Sequence, residues 1–258
     1  MKVQYCSDLH LEFPENRKYL AANPLIPEGD ILLLAGDIVC LRDLKKAQGL
    51  IDFAGDNYSQ VYWLPGNHEY YGSDIAEKPN PLWESIRRNV HLVNNQIVDH
   101  RGIRFIFSTL WGWIHPNHHW NIERSVSDFS AITYEGQRFT ARNFTILHEE
   151  SLEFLKNALQ SAGDSLSVVV THHVPTKINY PTVYKNSPIT EAFAVELSDL
   201  IESSGPCWWI YGHHHVNTPS FKIGKTRMLT NQLGYVQYNE HGSFRCNALF
   251  LINEGNSE

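Results

Sequence analysis

Short, almost wholly apolar runs recur along the chain, and each is cut off by glycine, proline or aspartate. Ile31-Leu32-Leu33-Leu34-Ala35 lies between Gly29-Asp30 and Gly36-Asp37. A run this short, apolar throughout and bracketed by turn formers, predicts a strand buried on both faces. The same reading gives strands at 3–6, 61–64, 103–107, 168–170 and 207–211. Between them lie stretches with helical spacing at 41–53, 146–159 and 192–201; in the second, Leu147, Leu152, Leu155 and Leu159 fall mostly on one face. Strands alternating with helices predict βαβ units and a largely parallel sheet. The tail, 227–252, alternates around Gly234 and Gly242, which predicts antiparallel strands. Residues 111–143 are aromatic and polar with weak periodicity, as expected of a cap or lid within one domain covering 1–258.

Composition narrows the class. With 42% hydrophobic and 12% aromatic positions in 258 residues, the chain has material for a sizeable core. A formal net charge of -7 repels duplex nucleic acid overall, so no such partner is expected. The cysteines, Cys6, Cys40, Cys207 and Cys246, form no C-x-x-C pair and read as reduced thiols. No long apolar segment precedes Asp8, and no apolar run approaches the ~20 residues that span a bilayer. The expectation is a cytoplasmic protein with no membrane association. The oligomeric state is left open.

The predicted strands end in chemistry. Five blocks follow strands directly: Ser7-Asp8-Leu9-His10, Gly36-Asp37, Gly66-Asn67-His68-Glu69, Thr171-His172-His173 and Gly212-His213-His214-His215. Residues just past strand C-termini share one crevice in α/β sheets, where such folds place their ligands. Singly, each block has a plain structural reading: a loop end, a turn, a helix cap at Asn67, a core histidine at His172. Five in order, all rich in oxygen and imidazole donors, point to metal binding.

This ordered set resembles the calcineurin-like metallophosphoesterases, whose pattern runs D-x-H, G-D, G-N-H-[DE], H, G-H-x-H. The opening Ser7-Asp8-Leu9-His10-Leu11-Glu12-Phe13 is similar to a small bacterial-type subgroup. The resemblance implies an α/β fold, a four-layer αββα sandwich of two mixed β-sheets flanked by helices, with the metal site at strand C-terminal ends. It implies one metal on Asp8, His10, Asp37 and His215, a second on Asp37, Asn67, His172 and His213, and Asp37 shared between them. His173 stays open as an alternative to His172. His214, between two ligands, points away and is non-ligating.

Carboxylate and amide oxygens mixed with imidazole suit manganese first, with iron or zinc as alternatives, better than a pure magnesium site. Two ions roughly 3.5–4 Å apart clamp both oxygens of a phosphoryl displacement, and a hydroxide bridging them is the expected nucleophile. His68 is the expected general acid, and Glu69 is a candidate to orient it. The function read from this is hydrolysis of a small phosphate ester, monoester or diester. The alternatives are an amidohydrolase, disfavoured because the H-x-H pair lies late in the chain, and a non-catalytic metal-binding scaffold, disfavoured because the donor set is complete. Substrate contacts are expected from the segment Trp111 to Trp120, which holds Trp111, Trp113, Trp120 and His115, His118, His119; His118 and His119 are the candidates to touch the phosphate.

Overall fold

The computed structural model describes residues 1–163, 165–185 and 187–252. Six strands form a first sheet: β1 (Lys2–Cys6), β2 (Ile31–Ala35), β3 (Gln60–Leu64), β4 (Leu82–Arg87), β5 (Val90–Asn94) and the last strand, β14 (Leu249–Leu251). Their order is β14-β1-β2-β3-β5-β4, with β1, β2, β3 and β5 parallel and both edges antiparallel. The second sheet contains β6 (Gln96–His100), β7 (Ile103–Ser108), β10 (Ser167–Thr171), β11 (Trp208–Ile210), β12 (Phe221–Ile223) and β13 (Thr226–Leu229). It runs β12-β13-β11-β10-β7-β6, again parallel in the middle and antiparallel at the edges. A small ribbon, β8 (Thr133–Tyr134) with β9 (Gln137–Arg138), lies apart from both.

The all-apolar strands follow from burial on two sides. In β2, Ile31, Leu33 and Ala35 face the second sheet, packed with Phe105 and Phe107 of β7 and Val168 and Val170 of β10. The alternate residues, Leu32 and Leu34, pack outward with Ile51 and Ala54 of α2 (Gln48–Asn57). Likewise Val169 of β10 and Trp209 of β11 turn from the sandwich interior to Leu155, Ala158 and Leu159 of α5 (Ala141–Ala162). Strand side chains alternate faces, so a strand covered on both needs apolar residues at every position. The result is the expected arrangement of two mixed sheets face to face with helices outside.

Several local expectations are corrected. The span 41–53 is a 3-10 helix, Leu41–Ala47, interrupted at Asp43 and followed by α2. The span 146–159 is the middle of the longer α5, whose start is fixed by a reciprocal cap between Thr140 and Asn143. The expected helix at 192–201 is reduced to a turn at Thr190–Ala192 and the short α6 (Ser198–Ser204). The intervening backbone pairs elsewhere: Val174 N–H donates to Phe193 O (3.1 Å), Val195 N–H to Val174 O (3.0 Å) and Leu197 N–H to Pro175 O (2.9 Å). Glu196 adds acceptors for Thr176 Oγ1 and Lys177 N–H, both at 2.9 Å, and so holds this stretch extended. In the tail, β13 pairs antiparallel with β12 but parallel with β11, and β14 adds an antiparallel strand beside β1. Between them the chain loops around Asn231, whose side chain donates to Tyr5 O and Arg245 O and accepts from Arg245 N–H.

The segment 111–143 is not structureless. It carries α3 (His119–Ser125), α4 (Asp128–Ala131) and the β8–β9 ribbon. Its apolar side chains Ile114, Ile122, Phe129 and Phe139 pack with Trp111 and Phe144 into a cluster of their own.

Phe105 is fully buried between the sheets, 6.2 Å from the Tyr62 ring. Phe105→Ala is expected to cost about 3–5 kcal/mol of stability, read as an earlier denaturant midpoint with an unchanged slope.

Candidate metal centre

Each of the five blocks leaves its strand through a sharp turn. Asp8, His10, Asp37, His213 and His215 all have positive φ, between 47° and 79°. Asp, Asn and His adopt that region more readily than other larger residues, yet each such residue costs of order 1–3 kcal/mol unless its surroundings compel it. The surroundings here are backbone bonds that lace the turns together. Asp8 N–H donates to Gly36 O (2.9 Å), His10 N–H to Asp37 O (2.9 Å), Gly212 N–H to His172 O (3.0 Å) and Gly234 N–H to Asp8 O (3.0 Å). Gly66 is required by space: a Cβ there would stand 2.2 Å from Asp37 Oδ1 and 2.7 Å from the His172 ring.

Two groups of donors converge. Asp8, His10, Asp37 and His215 offer atoms within 4.8 Å of one another, and so do Asp37, His172 and His213. Asp37 belongs to both: its Oδ2 lies 3.4 Å from His172 Nε2 and 3.8 Å from His10 Nε2. Asn67 joins the second group, with Oδ1 3.1 Å from His172 Nε2. His172 Nε2 also faces His213 Nδ1 at 3.1 Å, and His10 Nε2 faces His215 Nε2 at 2.9 Å.

The far sides of these rings show which nitrogens carry protons. His10 Nδ1 meets Glu12 Oε1 at 3.0 Å, His215 Nδ1 meets Glu240 Oε2 at 2.7 Å, and His172 Nδ1 meets Ala35 O at 2.9 Å. Each partner is an acceptor, so each Nδ1 carries a hydrogen, and Nε2 is the nitrogen that offers its lone pair inward once the ring is neutral. Imidazole lone pairs facing one another and two carboxylates at close range fit a pair of cations, and the outer acceptors orient the rings as in metal sites generally.

The charges say the same. Burial opposes ionisation of Asp37, yet the neighbouring His172, His68 and His10 hold its carboxyl well below the ordinary range. Burial pushes imidazoles toward neutrality, but Asp37 and Asp8 carry His172 up to about 9. Asp8 and Glu240 overcome the same burial at His215 and bring it up to about 10. Protons are attracted where cations would otherwise sit.

His173 and His214 stand outside both groups. His173 Nδ1 meets Thr109 O at 3.1 Å and its ring lies against Trp111. His214 Nδ1 turns to the Gln232 amide. His68, at 7% exposure, is stacked on Tyr71 at 4.1 Å, with Nδ1 2.8 Å from Glu12 Oε1 and Nε2 3.2 Å from Tyr235 Oη.

Glu69 does not orient His68. Its carboxylate is wholly buried and accepts four N–H bonds: Ile38 (2.7 Å) and Trp63 Nε1 (2.9 Å) on Oε1, Asp37 (2.9 Å) and Gly66 (2.6 Å) on Oε2. It is a staple between two metal-binding turns. The group that holds His68 is Glu12, which the sequence reading quoted within the opening block without giving it a role. Asp128 was also missed. Its Oδ1 accepts from Asn67 Nδ2 (2.8 Å) and Tyr71 Oη (2.7 Å), which turns the Asn67 oxygen toward His172. Sixty-one residues separate Asp128 from Asn67, so no local spacing announces the pair.

A cavity of about 420 Å3 opens over the two groups. Asp37, Asn67, His68 and His213 reach it, and aromatic side chains including Tyr184 and Phe193 enclose it. Neither His118 nor His119 lines it. His118 Nδ1 pairs with Glu191 (3.0 Å) beside a neighbouring depression, and His119 Nε2 meets Ile114 O at 3.2 Å. The aromatic stretch divides the same way: Trp111 is buried beside His173, while Trp120 is 68% exposed under Arg124. The segment 111–143 reaches the cavity through Ser125–Asp128 instead.

The calcineurin-like phosphoesterase family model matches residues 1–217. The chain belongs to this family. An uncharacterized protein of Acanthamoeba polyphaga mimivirus is 30% identical over 90% of this chain and 91% of its own length. Among solved structures, the phosphopantetheinyl hydrolase of Mycobacterium tuberculosis superposes with a TM-score of 0.71 at 17% identity, covering 98% of this chain and 96% of that one. This likeness is one of fold. Members of the family use a dinuclear metal site, and the two donor groups are the candidate ligands for it. No helix among the described residues is long and apolar enough to cross a membrane.

Gly66→Ala should lower bound metal per chain, measured by elemental analysis, while the far-ultraviolet spectrum stays native, because the added methyl displaces Asp37 or His172. Metal entry must also displace the protons that the raised His172 and His215 hold. Apparent metal affinity is therefore expected to rise with pH until about pH 9–10, where those protons are already lost, with proton release below that visible as buffer-dependent heat in calorimetry.

Proposed function

We propose that this family member hydrolyses phosphate esters with two divalent metal ions, His68 protonating the leaving alkoxide. The observation that carries the reading is Asp37, which lines the cavity and whose Oδ2 stands between two sets of inward-facing imidazole nitrogens. Asp8, His10, Asp37 and His215 would hold one ion, and Asp37, Asn67, His172 and His213 the other; manganese, iron and zinc all suit these donors. When bound, the ions supply Lewis acidity and an acidified water.

The chain's own residues supply the rest. His68 is the group placed to give up a proton: Glu12 holds its Nδ1, leaving Nε2 directed to Tyr235 Oη at the cavity wall. Burial favours its neutral form, but the charges of Asp37, Glu12 and Asp128 outweigh this and raise its pKa. An imidazolium so held is a competent acid for an alkoxide leaving group. Asp128 and Tyr71 fix Asn67, and Ser7 Oγ donates to Asp8 Oδ2 at 2.5 Å, so the donors are oriented before an ion arrives.

The test is turnover of a phosphoester panel by metal-loaded protein, with loss of activity on chelation. Within it, His68→Ala should keep its metal and lose about 10²–10⁴-fold in kcat for an alkyl ester. The loss should shrink for a nitrophenyl ester, whose leaving group hardly needs a proton. Equal losses for both esters would reassign His68 to binding.

A further inference from the structure

The cavity wall has a second property besides its shape: among the described residues, no lysine or arginine lines it. Lys177 and Lys185 lie along the neighbouring depression, with His118 and Glu191. The charged groups at the cavity besides Asp37 and the histidines are Asp128 and Glu240. Glu12 sits behind His10 and His68 and adds a further carboxylate. Two divalent ions would be matched in charge by Asp8, Asp37, Glu12 and Glu240 alone. A loaded centre of that kind can hold a phosphate bearing one negative charge. A phosphate bearing two would place the second in a site where His68, read above as an imidazolium, is already paired with Glu12 and no lysine or arginine lines the wall, and uncompensated charge is costly there. Proteins that grip phosphate dianions ordinarily use the bidentate guanidinium or an ammonium, and neither is present.

The wall is instead aromatic and aliphatic. Phe13, Tyr180, Tyr184, Phe193 and Tyr235 surround the opening together with Ile189. A phosphate group fills only a small part of about 420 Å3, so the rest of the space is left for the ester arms. Tyr71 and Tyr235 also line the space, and their hydroxyls are spent on Asp128 and His68.

Resting on the hydrolase reading above, we propose that this site selects phosphodiester monoanions with an aromatic or apolar arm and discriminates against phosphomonoester dianions. The discrimination is by charge at the metals and by apolar contact at the wall. Tyr184, half-buried on the wall, contributes to the second, and the exposed Ser127 on the same wall is a position from which a cation can be introduced to test the first.

Two non-hydrolysable probes separate binding from turnover: diphenylphosphinate, a monoanion, and phenylphosphonate, a dianion at mildly alkaline pH. Calorimetry on the metal-loaded protein should show the monoanion bound more tightly by at least about tenfold, the scale of discrimination a pocket of this kind supplies. Tyr184→Ala should weaken diphenylphosphinate and leave phenylphosphonate less affected. Ser127→Arg should strengthen phenylphosphonate. In turnover, bis(para-nitrophenyl) phosphate should exceed para-nitrophenyl phosphate in kcat/KM, although both release the same alcohol. Equal or tighter binding of the dianion, with a monoester cleaved as well as the diester, overturns the inference and leaves the hydrolase reading standing. A loaded protein that cleaves neither ester yet prefers diphenylphosphinate upholds the cavity's selectivity and overturns the hydrolase reading instead.

Discussion

Two carboxylates, Asp8 and Asp37, are buried completely at the ends of neighbouring parallel strands, and the fold around them is organised by the need to compensate that charge. An unpaired ion in such a place would cost several kcal/mol even after relaxation. Imidazoles arrive from the other sheet, His172 from the end of β10 and His213 and His215 from beyond β11. Backbone amides complete the shell: His213 N–H reaches Asp8 at 3.0 Å and His68 N–H reaches Asp37 at 2.9 Å. The face-to-face sandwich is what makes this possible, because parallel strands in both sheets end at the same edge and deliver donors from opposite sides.

The outer layer then decides what those donors do. Acceptors behind His10, His172 and His215 settle their tautomers. Asp128 settles the Asn67 amide. Glu69 ties the backbone at Asp37 to that at Gly66. None of these groups needs to touch a substrate, yet each removes a degree of freedom from an atom that would. Function here rests on polar groups whose partners lie far apart in sequence.

That distance explains what the sequence could reveal. Strands β1, β2, β3, β7, β10 and β11 were legible because both of their faces are covered, which forces unbroken apolar runs such as that of β2, whereas β5, interrupted by His91, was not. The donor blocks were legible because each is short, local and begins where a run stops. The edge strands β4 and β6 were not: β4 reads Leu-Trp-Glu-Ser-Ile-Arg with exposed polar positions, and its pairing with β5 supplies what its composition lacks. The stretch 193–197 resembles a helix in pattern, but pairing with Val174 captures its backbone, a tertiary effect that periodicity does not register. Glu12 was in plain view in the opening block, yet its role depends on His68 lying against it, 56 residues along the chain. The polar rim expected at His118 and His119 failed to appear in the cavity because Glu191 and Ile114 engage those rings elsewhere.

Glu12 has one further consequence. A single oxygen, Oε1, receives Nδ1 of His10 at 3.0 Å and Nδ1 of His68 at 2.8 Å, and the two rings stand 4.4 Å apart. Whatever draws electron density from His10 makes its Nδ1–H a stronger donor to that oxygen and weakens the claim of His68. Filling the position at His10 and arming the proton at His68 are then one thermodynamic event seen from two ends, and by reciprocity the state of the proton must be felt by whatever fills the position.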